Sequence, residues 1–236
     1  MIDIHAHILP GIDDGAETIS DSVEIVRELA AQGVTDIVVT PHYMDETIYT
    51  SPRTRNLVLL NKLKRALKYE DVKVRVYLGN EIYITERIAD LIWGGKISTM
   101  AEGKYILVEL PMSGEYPGYE DIFLELMNNG YKVILAHPER YHTAQEDYDV
   151  LRELHEMGVL FQCNIGSILG QYDKQAKKTI QRLASDKWIF AFGTDIHHCR
   201  GEGYIEAAMK KLLKYYDEHE LNKVLVTNPK KILKDN

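Results

Sequence analysis

Cysteine is scarce in this chain of 236 residues, and its scarcity excludes two kinds of protein. The only two cysteines, Cys163 and Cys199, are too few for the disulfide framework of a small secreted domain, so we expect a reducing environment. Leu169 and Ile205 stand six positions after them, where a cysteine-dependent phosphate loop needs an arginine. The sequence therefore excludes that arrangement.

Surplus positive charge and long apolar runs are also absent. The formal net charge is -8, which argues against a general nucleic-acid binder. No apolar run approaches the roughly 20 residues of a membrane span, so we expect no membrane insertion. Met1 leads directly into a predicted strand, which predicts a cytoplasmic protein without a signal peptide. Because no linker rich in Gly, Ser or Pro divides the chain, we predict one domain over residues 1–236.

Short β-branched runs alternate with amphipathic stretches along the whole chain. The predicted strands are "MIDIHAHI", "TDIVVTPHY", "VKVRVYLGNEIYI", "KYILVELPM", "YKVILAHPER", "GVLFQCNIG" and "WIFAFGTDIHH". The predicted helices cover residues 18–32, 54–69, 85–93, 119–129, 146–157, 173–185 and 203–218, with a last one after Pro229. Such alternation is typical of an α/β fold with parallel strands, and seven strands could close a barrel or form an open sheet.

Ionisable residues lie at the carboxyl ends of six of the seven predicted strands. They are His5, His7, His42, Glu81, Glu109, His137, Asp195 and His197, and Asp14 lies in the loop after the first strand. In a parallel barrel these ends meet at one face, where active sites are built. Any one of these residues could be structural, but several unpaired carboxylates buried at one mouth would be costly. We therefore expect the set to converge on a cation.

The donor types narrow the identity of that cation. Imidazole and carboxylate ligands without thiolate suit Zn, Mn or Fe and do not select strongly among them. Nine ligands are too many for one ion, so two or three ions bridged by a carboxylate are expected. Three divalent ions bring six positive charges, and the four carboxylates bring four negative ones. The remaining positive charge of about two complements a phosphate monoester dianion.

Two arginines and an asparagine stand close to these positions. Arg140 follows His137 by three residues and Arg200 follows His197 by three, so each could hold phosphate oxygens in a fork. Asn164 ends the sixth predicted strand and is a weaker candidate for donating to an anion. The other histidines are expected to be exposed or structural, and they are His142, His155, His198 and His219.

The motifs together resemble a known superfamily. The segments "IDIHAHILPGIDDG", "TPHY", "GNEIY", "YILVELP", "LAHPERY" and "TDIHH" are similar, in order and over nearly the whole chain, to the polymerase and histidinol phosphatase (PHP) superfamily. Within it they resemble the manganese-dependent protein tyrosine phosphatases of the CpsB type from bacterial capsular and exopolysaccharide loci. The resemblance implies a distorted seven-stranded (β/α) barrel with a trinuclear centre of Mn²⁺, or alternatively of Fe, Zn, Co or Mg.

The resemblance also implies a role for each matching residue. The first ion would be held by His5, His7, Glu81 and Asp195; the second by Glu81, Glu109 and His137; and the third by Asp14, His42 and His197. Arg140 and Arg200 match family arginines near the substrate phosphate. The implied reaction is hydrolysis of protein phosphotyrosine by a metal-bridging hydroxide, with the tail of an autophosphorylating tyrosine kinase as substrate.

Two alternatives remain open from the sequence. One is another phosphoesterase of the superfamily, acting on histidinol phosphate or on nucleic-acid ends, although the acidic charge disfavours a nuclease. The other is a non-catalytic, metal-stabilised barrel that regulates a kinase.

Overall fold

The computed structural model describes residues 1–45 and 47–234 and shows nine strands and ten helices there. The strands are β1 (Ile2–Ala6), β2 (Asp36–Val39), β3 (His42–Tyr43), β4 (Arg75–Leu78), β5 (Glu81–Tyr83), β6 (Tyr105–Glu109), β7 (Lys132–Ala136), β8 (Leu160–Asn164) and β9 (Ile189–Gly193). The helices are α1 (Ile19–Ala31), α2 (Arg53–Tyr69), α3 (Ile88–Trp93), α4 (Tyr119–Asn128), α5 (His142–Glu146), α6 (Asp149–Met157), α7 (Lys174–Ser185), α8 (Tyr204–Leu212), α9 (Glu218–Asn222) and α10 (Asn228–Lys234).

Two of the seven predicted strands are each divided in the structure. The segment "TDIVVTPHY" is interrupted at Thr40 and Pro41 between β2 and β3, where Pro41 has no N–H to donate to a ladder. The segment "VKVRVYLGNEIYI" is interrupted at Gly79 and Asn80 between β4 and β5. The Asn80 side chain bridges the two breaks, because its amide donates to Pro41 O at 2.9 Å and its oxygen accepts from Ser98 N at 2.9 Å.

Most predicted helices are confirmed, one prediction needs correction and one helix was missed. A capping box begins α1, because Thr18 Oγ1 accepts from Asp21 N while Asp21 Oδ2 accepts from Thr18 N. The predicted helix at 203–218 was too long, since α8 ends at Leu212 and α9 begins at Glu218. Helix α5 was not predicted, because its five residues are too few to show a helical period.

All strand pairings between the named strands are parallel, and the strands form two sheets. One sheet has the order β1-β2-β4, and the other has the order β3-β5-β6-β7-β8-β9. The first strand meets the chain after the last one, because His7 N donates to Ile196 O at 2.9 Å and Asp195 N donates to His5 O at 2.8 Å. The carboxyl ends of the strands consequently surround one region, as the sequence predicted.

Two apolar clusters flank the strands. The larger contains residues from the helices and from the strand faces that meet them, among them Leu29, Leu63 and Phe123. The smaller joins side chains of β1, β2, β6, β7 and β9 with Ile232 of α10, which is fully buried. Packing on both sides fixes the strands and hence the positions of the residues at their ends. Across residues 1–45 and 47–234, none of the helices combines the length and apolarity needed to cross a bilayer.

Candidate metal centre

The predicted ligands gather at a cavity of about 540 Å³ at the carboxyl ends of the strands. Seven of the nine line its wall, and they are Asp14, His42, Glu81, Glu109, His137, Asp195 and His197. The other two, His5 and His7, are fully buried and contact the wall residues Glu81 and Asp195. Residues separated by almost two hundred positions in sequence thus share one site, as the sequence predicted.

Glu81 lies at the centre of the cluster. Its Oε2 atom is 3.2 Å from His5 Nε2 and 3.3 Å from His7 Nε2, and it is 3.0 Å from His42 Nδ1. Its Oε1 atom lies 2.8 Å from His137 Nε2. Within the described residues, this buried Oε2 accepts no hydrogen bond of good geometry. A buried carboxylate oxygen without a hydrogen bond is costly, and a shared cation would satisfy it.

His5 in the first strand and His7 directly after it point the same ring atom at each other. His5 Nε2 and His7 Nε2 are 3.1 Å apart. The opposite ring nitrogens contact acceptors, since His5 Nδ1 is 2.8 Å from Gln162 Oε1 and His7 Nδ1 is 3.0 Å from Asp13 Oδ2. In neutral rings these acceptors place the proton on Nδ1, so both Nε2 lone pairs face one place. This donor geometry fits a divalent ion.

A third part of the cluster lies toward solvent. Asp14 Oδ1 is 3.5 Å from His42 Nε2 and 3.3 Å from His197 Nε2. His197 Nδ1 donates to the backbone oxygen of Asp195 at 3.0 Å, which again leaves Nε2 free to bind a cation. The His197 ring stacks on His7 with 4.1 Å between centroids, so this outer part is continuous with the buried part.

The nine side chains form overlapping groups. The groups whose ligand atoms lie within 4.8 Å of one another are His7 with Asp14, His42 and His197; His5 with His7 and Glu81; His5 with His137 and Asp195; and His42 with Glu81 and Glu109. Together they contain all nine predicted ligands. Because His5, His7, His42 and Glu81 each belong to two groups, the division of ligands among three ions stays a prediction.

The charges of the cluster shift the pKa values of its buried carboxylates. Burial alone would raise the pKa of Glu81, but the charges of His5 and His42 hold it well below its ordinary value. Burial, and after it the charge of Glu81, raises the pKa of Glu109 to about 7. The negative charge of Glu81 disfavours ionisation of Glu109, and a bound cation would offset this repulsion.

The two predicted arginines differ in how firmly they are held. Arg140 Nη1 donates to Asp195 Oδ2 at 3.1 Å, and its guanidinium carbon lies 4.3 Å from the centre of the Tyr172 ring. Arg200 is exposed and donates from Nη1 to Gln171 Oε1 at 3.2 Å. Both line the cavity, so both cations are placed where an anionic ligand would enter.

Comparison with known proteins identifies the family of this chain. The sequence model of the family described as "Capsular polysaccharide synthesis, CpsB/CapC" matches residues 1–234. The chain belongs to the CpsB/CapC family.

Curated CpsB/CapC relatives match along almost their whole length. CapC from Staphylococcus aureus is 32% identical over 236 residues, which cover 97% of this chain and 92% of that protein. The tyrosine-protein phosphatase YwqE from Bacillus subtilis is 31% identical, covering 100% of this chain and 92% of that protein. The match therefore includes every element that contributes to the cavity.

Solved structures agree with the family assignment. A chain from the crystal structures of YwqE from Bacillus subtilis and CpsB from Streptococcus pneumoniae, described as unique metal-dependent tyrosine phosphatases, superposes with a TM-score of 0.93. It is 31% identical, and the match covers 100% of this chain and 95% of that chain. The phosphotriesterase from Mycobacterium tuberculosis superposes with a TM-score of 0.62 at 12% identity, covering 99% of this chain and 94% of that chain. This second likeness shows the fold alone.

Close backbone approaches shape the site of this CpsB/CapC family member. A Cβ atom on Gly15 would lie 2.0 Å from His7 O, and one on Gly193 would lie 2.7 Å from His5 Cβ. His137 and Asp195 have positive φ angles of 32° and 50°, which are uncommon for residues with a side chain. Such strain concentrates at functional sites, where the surrounding structure enforces it.

Several supporting residues were missed or misjudged from the sequence. Gln162 orients His5, and Asp13 orients His7. In the sequence, the acidic pair Asp13 and Asp14 drew attention to Asp13, and nothing indicated Gln162. Asn164 was considered as a donor to an anionic ligand, but its amide donates to Asp195 Oδ2 at 2.7 Å. His198 was expected to be exposed or structural; it is exposed, and it also lines the cavity. These roles depend on contacts made only in the folded chain.

Asp13 provides a test of this supporting layer. Its Oδ2 atom contacts His7 Nδ1 at 3.0 Å and accepts from His42 N at 3.2 Å, so it orients two predicted ligands without being one. We expect Asp13→Asn to weaken Mn²⁺ binding by roughly 10- to 100-fold, because orienting partners of metal-binding histidines contribute that much. Calorimetric titration with Mn²⁺ measures the change.

Asp173→Asn is the matched control for this titration. Asp173 caps α7 and does not line the cavity, and asparagine caps a helix about as well as aspartate. Unchanged Mn²⁺ affinity in Asp13→Asn would show that Asp13 does not orient ligands.

Proposed function

We propose that this chain is a metal-dependent protein tyrosine phosphatase. The observation that carries the proposal is the convergence of nine imidazole and carboxylate side chains, with two arginines, on one cavity. The family relatives named tyrosine-protein phosphatases support the same reaction, as does the similarity to a metal-dependent tyrosine phosphatase structure. Phosphoryl transfer requires mainly positioning and charge stabilisation, and these residues can provide both.

The proposal includes three Mn²⁺ ions, held as the resemblance implies. The first set is His5, His7, Glu81 and Asp195; the second is Glu81, Glu109 and His137; and the third is Asp14, His42 and His197. When bound, such ions lower the pKa of water to about 7 and offset the charge of a phosphate. Glu81, whose two oxygens face four imidazoles, is the ligand suited to join neighbouring ions.

The chain's own cations would bind the substrate phosphate. Arg140 and Arg200 line the cavity and would donate to its non-bridging oxygens, where charge is spread in the transition state. Tyrosine is a favourable leaving group, since the pKa of its phenol is about 10. The arginines would therefore orient the phosphate in the cavity that the predicted metal ligands also line.

The finer features of the molecule belong to the same proposal. We propose that residues 1–236 form one PHP-type domain and that the two sheets form a distorted barrel of seven strand segments. The divided strands β2 with β3 and β4 with β5 would each count as one segment. The proposed substrate is the phosphotyrosine tail of an autophosphorylated bacterial kinase in capsule or exopolysaccharide synthesis, and the proposed location is the cytoplasm.

The proposal is tested by comparing substrates on the Mn²⁺-loaded protein. We expect kcat/KM to be highest on a phosphotyrosine peptide and lower on histidinol phosphate and single-stranded DNA. Faster turnover of histidinol phosphate or of DNA would reassign the chain to another phosphoesterase activity. Absence of turnover on all three, with the ions bound, would favour a non-catalytic regulator.

A cysteine-independent reaction is a further expectation. Cys163 is fully buried and Cys199 is exposed, and neither lines the cavity. Burial also raises the pKa of Cys163 well above its ordinary value, which makes its thiol a poor nucleophile. We expect the double variant Cys163→Ser, Cys199→Ser to keep turnover within about twofold of wild type. Loss of turnover in a double variant that retains its fold and its ions would contradict the proposed reaction.

A further inference from the structure

Tyr172 lies at the wall of the cavity and is engaged on two sides. It stands between the 3₁₀ turn Ile165–Leu169 and helix α7. The face of its ring meets Arg140, whose guanidinium carbon is 4.3 Å from the ring centre. Its hydroxyl accepts from Asn164 Nδ2 at 2.9 Å and donates to Asp195 Oδ2 at 3.4 Å. The residue thus joins a cavity arginine to a predicted metal ligand.

Arg140 is held by this arrangement from two directions. Nη1 donates to Asp195 Oδ2 at 3.1 Å while the Tyr172 ring covers one face of the guanidinium. A guanidinium has five N–H donors in a rigid fork, so several remain for a ligand in the cavity. Ordering this long side chain in advance removes an entropic cost from ligand binding. Arg200 has a weaker counterpart, because its guanidinium carbon lies 5.9 Å from the Tyr204 ring centre.

The hydroxyl of Tyr172 is committed to the wall and not to a ligand. Both of its hydrogen bonds run to Asn164 and Asp195. The part of Tyr172 that bears on the phosphate site is therefore the ring, and it acts through Arg140.

We propose that Tyr172 is a positioning residue whose ring fixes the Arg140 guanidinium in the orientation that binds the phosphate of the substrate. This inference rests on the proposed phosphatase function for the identity of the ligand. It adds a specific role for a residue that contributes no metal ligand.

The test is a double-mutant cycle between Tyr172 and Arg140. The variants are Tyr172→Leu, Tyr172→Phe, Arg140→Ala and Arg140→Ala with Tyr172→Leu. For each Mn²⁺-loaded protein, calorimetry measures the Kd for inorganic phosphate, kinetics with a phosphotyrosine peptide give KM and kcat, and elemental analysis gives the Mn²⁺ content.

We expect Tyr172→Leu to weaken phosphate binding and to raise KM by about tenfold, as the loss of a partly buried cation–π contact predicts. Tyr172→Phe should stay within about twofold of wild type, because phenylalanine keeps the ring. In the Arg140→Ala background, Tyr172→Leu should have little further effect, since the partner of the ring is already gone. All variants should hold the same amount of Mn²⁺.

Tyr148 provides a matched control. Arg182 covers its ring at 3.7 Å and its hydroxyl donates to Asp186 Oδ2 at 2.9 Å, which repeats the same arrangement outside the cavity. Tyr148→Leu should therefore change stability without changing phosphate affinity. If Tyr172→Leu does not fold, Tyr172→Met, which also lacks the ring, takes its place.

Three results would overturn the proposal. The first is that Tyr172→Leu weakens phosphate binding equally in the wild-type and the Arg140→Ala backgrounds. The second is that Tyr172→Phe is as impaired as Tyr172→Leu. The third is that the Mn²⁺-loaded wild type binds no phosphate. If the wild type binds phosphate and shows the expected cycle but does not turn over the peptide, the positioning role stands and the proposed function fails.

Discussion

Glu81→Gln is expected to lower kcat on a phosphotyrosine peptide by a factor on the order of 10³ or more. The change keeps the shape of the side chain and removes its charge. Glu81 is fully buried, and its oxygens face four imidazole nitrogens at 2.8 to 3.3 Å. An amide group in this place would offer one weaker ligand and would turn N–H donors toward a cation. Steady-state kinetics and elemental analysis on the purified variant measure the loss of turnover and of bound Mn²⁺.

Asp36→Asn is the matched control for this variant. Asp36 is also a buried carboxylate, but it lies at the amino end of β2, whereas the cavity lies at the carboxyl ends of the strands. It pairs with Arg75 and Tyr77. We expect its removal to lower stability while turnover, measured well below the unfolding temperature, stays within about twofold. A Glu81→Gln protein with most of the wild-type turnover would show that Glu81 is not a central ligand.

Exhaustive chelation is expected to remove all activity on the phosphotyrosine peptide, and Mn²⁺ is expected to restore it. The protein itself should also become less stable without ions, because a ligand that binds only the folded state stabilises it. At a free concentration of 1,000 times Kd the stabilisation is about 4 kcal/mol per site, which raises the unfolding temperature by about 10 °C in a protein of this size. Thermal unfolding of the chelated and the reconstituted protein measures this shift.

The Glu81→Gln variant serves as the control for the thermal experiment. Its response to Mn²⁺ should be smaller than that of the wild type, since one shared ligand is impaired. Full activity in protein shown by elemental analysis to be free of metal would contradict the account. If Mn²⁺ raises the unfolding temperature of wild type and variant equally, Glu81 does not hold the ions that stabilise the fold.

The convergence of the nine side chains could be predicted from the sequence because the parallel strand pattern and the positions of the ionisable residues coincide. Each strand end places a polar side chain after an apolar run, as "VILAHPER" does with His137, and such interruptions are visible without a structure. The topology then brings the ends together, so pairs as distant as His5 and Asp195 come within 3.5 Å. The family resemblance added the division into three ions, which no distance in the structure decides.

The supporting residues were hidden because their roles depend on packing. Gln162 lies inside a strand in an apolar run, and nothing local shows that its oxygen meets His5 from the other end of the chain. Tyr172 has no periodic or motif signal, and its value comes from the position of Arg140 beside it. The division of the second predicted strand was detectable in principle, because Pro41 cannot donate to a ladder. The break at Gly79 and Asn80 depends on contacts of Asn80 with distant backbone.

Anomalous diffraction at the manganese absorption edge, from crystals of the wild type grown with Mn²⁺, tests the central claim most directly. We expect strong peaks inside the cavity, each within bonding distance of several of the nine side chains around Glu81. A cavity without such peaks at saturating Mn²⁺, or peaks elsewhere on the molecule only, would contradict it.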